Sequence, residues 1–518
     1  MAEVELKLAV DPADLDRLLA GPVLAGRGVT RNLESVYWDT PDLRLMRRAV
    51  TLRVRRIGRR HVQTVKDAGV TDGLVTHRGE WEAPIGGPAP DLSAITDPTA
   101  RERIGALAPA ELAPAFVTRV RRITRTVSAG DGGRVEVAVD RGDIRTSDGR
   151  CEPLAEIEFE LKAGDPRAVY DVALAVAAEV PVRLERRSKA ERGYALAAGV
   201  DRPVRARRAV DPPIDPDGTV EAAMAAILRE GLLHVLENER SVLGGDPHDG
   251  VHQMRVGVRR LRSALSLFGP VLPGERSDAF ADDLRWLAGE LAAARDWDVF
   301  LHALHGPVSL AIGRAGPLAD AFAGLDARSR SRRDAGHDRA RAAVASPRFA
   351  RLALALGAWI EGRGWRAQAV SEKSARLFDP VGVVAADLLD RRHRRALKRG
   401  SGFARLPTEA RHRARITLKR LRYAVEFFRP LYPVKAQGRF HRRLAGLLDR
   451  LGHLNDVATA ERLVAELDGP AAGPDAVWRL AAGAVIGWHA RGLVESEADL
   501  VSDWDGFAEA EPFWTRDR

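Results

Sequence analysis

The sequence predicts a multidomain protein: an α+β domain with a mostly antiparallel sheet over residues 1–200, then an all-α duplicated helical bundle. Three observations predict it. Up to about residue 162 apolar and charged residues alternate, the period-two pattern of strands with one buried face. Beyond Thr219 this gives way to Ala-, Leu- and Arg-rich stretches of helical period. Within that second half HQMRVGVRRLRSALSLFGP, from His252 to Pro270, realigns on HRARITLKRLRYAVEFFRP, from His412 to Pro430, as an internal duplication would.

Taken in order, Ala2 to Val10 reads as a strand, because Val4, Leu6 and Leu8 interleave with Glu3, Glu5 and Lys7. A short helix over Pro12 to Leu19 follows. Strands are then expected at Leu33–Tyr37, Thr51–Ile57, His61–Asp67, Arg78–Ala83, Ala115–Ser128, Arg134–Asp140 and Glu152–Lys162, separated by Gly, Asp and Pro turns. Arg167 to Glu179 has helical spacing. Asp201 to Gly218 is rich in Pro, Arg and Asp without any period and reads as a linker. The helical domain is expected over 219–510, with helices at 220–242, 251–268, 277–294, 317–344, 380–398, 407–428, 437–451 and 475–492.

Composition bounds the class. The 518 residues exceed what one core organises, and 81 Lys+Arg against 72 Asp+Glu leave a net charge of +9, favouring polyanionic partners. Cys151 is the sole cysteine, which excludes an intramolecular disulfide framework and suits a reducing compartment. No apolar run approaches a membrane span and no signal-peptide pattern opens the chain, so the expectation is a cytoplasmic protein with no membrane partner.

The charged strand faces carry the chemistry. Glu3, Glu5 and Lys7 share one face of the first strand, and Glu156, Glu158, Glu160 and Lys162 repeat the spacing. Arg53 with Arg55, Thr64 with Lys66, Glu80 with Glu82, and Arg119 with Arg121 each flank apolar residues, while Asp140 ends a strand. An ordinary antiparallel sheet also has one wetted face, but repetition over several strands favours an enclosed cavity lined by both signs. Packed carboxylates raise each other's proton affinity unless a cation neutralises them. Basic groups that clamp phosphoryl oxygens and carboxylates that hold Mg²⁺ or Mn²⁺ would suit a polyphosphate chain.

Those residues, with the Tyr37-Trp38-Asp39-Thr40-Pro41 run, Arg78-x-Glu80-x-Glu82 and Ser188-Lys189-x-x-Arg192-Gly193-Tyr194, together resemble the CYTH family of triphosphate tunnel metalloenzymes across residues 1–200. The resemblance implies an eight-stranded antiparallel β-barrel whose tunnel hydrolyses, or in some members cyclises, triphosphate compounds with a divalent metal. It implies Glu3, Glu5 and Glu158 as leading metal ligands, with Glu156 and Asp140 in support. Lys7, Arg53, Arg55, Lys66, Arg119, Arg121 and Lys189 would contact phosphate, the choice among Arg119, Arg121 and Arg122 being one of register. Glu3, Glu5, Lys7 and Glu158 make up the expected catalytic set.

In the helical half His252, Arg255, Arg259 and Arg262 fall on one helix face, as do His412, Arg415, Lys419 and Arg422 in the second copy. One such Arg-rich face would be ordinary solvated surface; two related copies, each opened by His, point to anion binding. This half resembles the CHAD family of helical domains associated with inorganic polyphosphate. His234 and His453 have no partner spacing and read as structural, and Trp286, Trp297 and Trp359 as core. The expected function is metal-dependent hydrolysis of a triphosphate, inorganic triphosphate first, with polyphosphate binding by the helical half and location at polyphosphate granules. A nucleotide or thiamine triphosphatase, an adenylate cyclase and a non-catalytic polyphosphate scaffold are the alternatives. Nucleic acid ranks below polyphosphate as a partner.

Overall fold

The computed structural model describes residues 4–67, 70–72, 75–77, 79–199, 204–245, 247–272, 274–313, 316–367, 369–467 and 477–515. Glu3 and Arg78 lie outside them. The chain forms two compact units, residues 1–204 with 345–364, and residues 205–344 with 365–518. Among the described residues no helix is long and apolar enough to cross a membrane.

The first unit is built on one antiparallel sheet. Its strands are β1 (Glu5–Val10), β2 (Val29–Asp39), β3 (Val50–Ile57), β4 (Arg60–Asp67), β5 (Val70–Asp72), β6 (Val75–His77), β7 (Glu80–Ile85), β8 (Ala113–Ser128), β9 (Arg134–Thr146), β10 (Cys151–Ala163) and β11 (Val182–Leu184). They run in the order β5-β6-β1-β10-β9-β8-β2-β3-β4-β7, with β11 also on β1. The expected eight-stranded closed barrel is therefore corrected to an eleven-stranded sheet that does not close: its described ends are β5 and β7. Pro84 in β7 has no N–H to offer a further strand, which suits an edge position.

The sheet is nevertheless strongly curled. Four strand steps separate β10 from β3, about 19 Å if the sheet were flat. Yet Arg55 on β3 is half-buried and interacts electrostatically with Glu158 on β10 and Arg122 on β8. One face is thus wrapped inward. The other is covered in part by the helix Arg167–Glu179, which packs on β1, β9 and β10 and helps to bury Leu6, Leu8, Val137, Val139, Ile157 and Phe159.

That helix is itself covered by Pro347–Glu361, a helix the periodicity of the second half does not single out. Gly357 there leaves room for the ring of Tyr170, which is fully buried.

The second unit is built of helices. Val220–Glu237 packs on Pro247–Phe268, Val381–Arg399 packs on Thr408–Phe428, and Pro247–Phe268 meets Thr408–Phe428. Phe268 and Phe428, equivalent in the two copies of the repeat, touch edge to face with centroids 6.2 Å apart. The Pro- and Arg-rich segment expected to be a linker is docked on this unit: the Arg207 backbone N–H donates to Asn238 Oδ1 at 3.0 Å, and its guanidinium pairs with Glu237 and Glu230 at 2.6 and 3.1 Å. Its lack of periodicity reflects attachment through individual polar contacts.

A Cβ at Gly357 would stand 2.6 Å from Tyr170 Cε1, so Gly357→Val should destabilise the first unit by about 1–3 kcal/mol. Differential scanning calorimetry should show the first unit's transition moving down with this change and the helical unit's transition unmoved.

Candidate functional site

Strand pairing decides which side chains share the inward face, because directly opposed residues in an antiparallel sheet point the same way. Lys7 opposes Glu158 and Glu5 opposes Glu160. Glu156 opposes Asp140, and Asp140 opposes Arg122. On the far side Tyr37 and Ser35 oppose Arg53 and Arg55, Arg53 opposes Thr64, and Lys66 opposes Glu80. One continuous face therefore carries Glu5, Lys7, Arg53, Arg55, Lys66, Arg122, Asp140, Glu156 and Glu158.

Arg119 and Arg121 lie on the other face, which corrects the sequence expectation. Val120, between them, shares the face of Arg122 and is buried with Tyr37, Phe116, Ala190 and Tyr194. Arg119 is instead 60% exposed and pairs with Glu34. The sequence reading took apolar residues to mark the opposite face. Here one end of the charged face is itself apolar, because the helix Lys189–Ala198 packs against β8 and β9 there.

That helix supplies the site's central cation. Ser188 and Glu191 form a capping box, satisfying each other's backbone N–H and fixing where the helix starts. Lys189 and Arg192, three apart, then project together. Lys189 Nζ lies 2.8 Å from both Asp140 Oδ2 and Glu158 Oε1 and also pairs with Glu156. Arg192 Nη1 reaches Glu156 Oε2 at 3.1 Å, while its Nε binds Glu152 at 2.8 Å. Arg122 makes a bidentate contact with Asp140, at 2.8 and 2.6 Å, and also pairs with Glu158.

The remaining predicted groups extend this network. Lys7 Nζ is 3.0 Å from Glu5 and 4.0 Å from Glu158. Arg53 is 3.4 Å and Lys66 2.8 Å from Glu80, and Arg55 Nε donates to Ser35 Oγ at 3.0 Å. Side chains of Lys7, Arg53, Glu158 and Lys189 are only 10–14% exposed, so this is not a solvent-washed face. Asp39, in the run that resembles the family, has a structural role: its carboxylate accepts from the backbone N–H of Leu45 and Met46, both at 2.9 Å.

Burial and charge act in opposite directions on these groups. Burial alone would raise the Glu158 carboxyl, but Arg122, Lys189 and Lys7 hold it well below the usual range. Glu156 goes the other way, raised by burial beyond what Lys189 offsets. Arg55, desolvated and beside Arg53, is pulled down to about 10. Asp140, Glu156 and Glu158 offer oxygens within 4.8 Å of one another. These are the hard ligands that Mg²⁺ and Mn²⁺ take, so the residues fit a divalent ion, provided Lys189 yields some of its contacts.

The helical unit contains a cleft of about 620 Å³. The first copy of the repeat contributes His252 and Arg259 to it, the second Arg415, Lys419 and Arg422. Nε of Arg259 and of Arg415 is buried without a hydrogen-bond partner, leaving donors available to an anion. Lys419, desolvated while half-buried beside Arg415 and Arg259, is lowered to about 7, and His252, half-buried beside Arg295 and Arg259, to about 4. Arg255, Arg262 and His412 are not among the lining residues. Arg255 instead donates to the Ala288 carbonyl at 3.1 Å. His453, read from sequence as structural, and His441 do line the cleft. His234 is buried against the Arg207 carbonyl at 3.1 Å, and Trp297 and Trp359 are core.

Residues 1–194 match the CYTH domain model and residues 226–465 the CHAD domain model. An inorganic triphosphatase of Haemophilus influenzae is 29% identical over 206 residues, 38% of this chain and 56% of that protein; the chain thus spans little more than half of that relative's length. The crystal structure of the CHAD domain from the plant Ricinus communis is 34% identical with a TM-score of 0.50, covering 60% of this chain and 98% of that one. A structure described as a putative adenylyl cyclase from Hippeastrum with a dominant triphosphatase activity is 18% identical with a TM-score of 0.30, covering 38% and 96%.

Glu158, held below its ordinary value of 4.5, contributes stability that is complete above about pH 4.5 and lost as pH falls through its folded value. Denaturant titrations should therefore show the largest stability gap between the native protein and Glu158→Gln at neutral pH, narrowing below pH 4.5. A gap that widens on acidification would reverse the assignment.

Proposed function

We propose that this chain, a CYTH domain followed by a CHAD domain, is a cytoplasmic metal-dependent triphosphatase that acts on inorganic triphosphate and binds inorganic polyphosphate through its helical unit, at polyphosphate granules. The observation that carries the catalytic reading is the inward face itself, where Lys7, Arg53, Arg55, Lys66 and Arg122 stand opposite a cluster of carboxylates.

On that face Lys7, Arg53, Lys66 and Arg122 are held by carboxylates and Arg55 by the Ser35 hydroxyl. A triphosphate offers several acceptors at once, so Arg122, Lys7, Arg53, Arg55 and Lys66 can turn from these partners to phosphoryl oxygens. Glu3, Glu5, Asp140, Glu156 and Glu158 would then hold Mg²⁺ or Mn²⁺. The ion would supply Lewis-acid polarisation of the phosphoryl oxygens. The guanidinium and ammonium groups stabilise charge on the transferring group. Water attacks the terminal phosphorus, the bridging P–O bond breaks, and orthophosphate and pyrophosphate leave. The family relationship and the inorganic triphosphatase relative support this choice of reaction.

Polyphosphate binding rests on the cleft that gathers cations from both repeats and leaves buried guanidinium N–H groups without acceptors. Arg forks match phosphate oxygens in geometry.

Two experiments test these readings. With Mg²⁺ or Mn²⁺ present, inorganic triphosphate should release orthophosphate and pyrophosphate, and ATP should yield no cyclic product. Arg122→Ala should lower kcat/KM by roughly 100-fold or more, whereas Arg119→Ala and Arg121→Ala should stay within about threefold. Equal losses in all three would return the site to the other register. Separately, Lys419 loses its charge as pH rises through about 7, so long-chain polyphosphate should bind more weakly at pH 8 than at pH 6. Lys419→Met should flatten that dependence in a fluorescence binding titration, and an unchanged slope would exclude Lys419 from the contact.

A further inference from the structure

We propose that His248, Asp298 and His302 form a binding site for one divalent first-row transition-metal ion of the zinc type, in the helical unit and apart from the carboxylates of the sheet. The three residues come from different elements: His248 from the first turn of Pro247–Phe268, Asp298 from Ala292–Val299, and His302 from the π-helix Phe300–His305. Each offers a ligand atom, and these atoms lie within 4.8 Å of one another. Zinc-type bonds of about 2.0–2.2 Å place tetrahedral ligands about 3.4 Å apart, and His248, half-buried, and His302, exposed, have the freedom to close that difference.

Three details suit a metal better than a chance cluster. His302 Nδ1 is 2.9 Å from the Asp298 carbonyl; a donated N–H there leaves the Nε2 lone pair outward, the tautomer that ligating histidines adopt. Asp298 is 1% exposed. One of its oxygens, Oδ1, is 3.2 Å from Nε2 of His337, which orients the carboxylate from behind. The other, Oδ2, is buried with no hydrogen-bond partner, and an unsatisfied buried carboxylate oxygen is costly unless something positive meets it. Moreover, π-helical turns widen a helix locally and recur at functional sites.

The charged neighbours are Asp249, whose Oδ1 is 3.5 Å from His248 Nδ1, and Arg295, whose Nη1 is 3.5 Å from His248 Nε2. The long Arg295 contact must open for His248 to ligate through Nε2. Two imidazoles and one carboxylate select zinc, cobalt or nickel over magnesium and leave a coordination position for water or an anionic oxygen.

The test uses the full chain. Equilibrium dialysis against Zn²⁺ with millimolar Mg²⁺ present, to hold the sheet carboxylates, should find one equivalent that His248→Gln or His302→Gln removes or weakens at least tenfold. Glu158→Gln should retain it. Co²⁺ in place of Zn²⁺ should give a visible ligand-field band that the same two variants lose. His302 is exposed, so His302→Gln should melt as the unsubstituted protein does. Unchanged stoichiometry and spectrum in both histidine variants would overturn the proposal.

Discussion

Much of the first unit depends on electrical neutrality of a strand face turned away from water. Asp140 and Glu156 are fully buried and Glu158 nearly so; an ion buried without compensation costs several kcal/mol. The compensation comes from Arg122 on a neighbouring strand and from Lys189 and Arg192 at the start of a helix more than thirty residues downstream of the acids. Placing cations in the first turn of a helix opposes its dipole. The arrangement persists because three carboxylates in poor solvent outweigh that small term. The capping box that starts the helix at Ser188 is accordingly part of the site: a start shifted by one residue would rotate Lys189 about 100° away from the acids.

The helical cleft follows the opposite logic. There Arg259, Arg415, Lys419 and Arg422 are gathered with partial compensation from Glu426, Asp449 and Asp456, and desolvation, with Arg415 and Arg259 nearby, lowers Lys419 to about 7. Duplication is what creates this surplus. Neither copy alone supplies all of these cations, whereas the contact between the two repeat helices, with Phe268 against Phe428, aligns both cationic flanks on one cavity. An anion relieves the mutual repulsion as it binds, so the unfavourable resting state becomes part of the affinity.

How far the sequence discloses this depends on which rule governs each residue. Period-two alternation locates β1, β2, β3, β4, β7, β8, β9 and β10. It misses β5, β6 and β11, which at three residues each are too short to display a period. It also misplaces the arginine of β8, because parity can be read from apolar neighbours only where the two faces differ. Around Val120 both are partly apolar, and the partner that makes them so, the helix Lys189–Ala198, is remote in sequence. The face of Arg255 is legible, but its endpoint at the Ala288 carbonyl belongs to another helix. His453 lacks any local pattern because its significance comes from the long helix Val434–Leu467 passing beside Thr408–Phe428.

The helix Pro347–Glu361 shows why sequence order and physical units diverge. By composition it belongs with the helical half, and ten of its fifteen residues are buried. Its apolar partners include the helix Arg167–Glu179 and β11, and Gly357 permits the Tyr170 ring to lie flush against its backbone. The Arg167–Glu179 helix in turn covers the back of β1 and β10, the strands whose front faces carry Lys7, Glu156 and Glu158. A layer contributed by residues 345–364 therefore supports the charged face from behind, two layers removed from any ion pair. The sheet unit is complete only when the chain has passed through much of the helical half, so a boundary drawn at residue 204 cuts a sequence domain but not a folding unit.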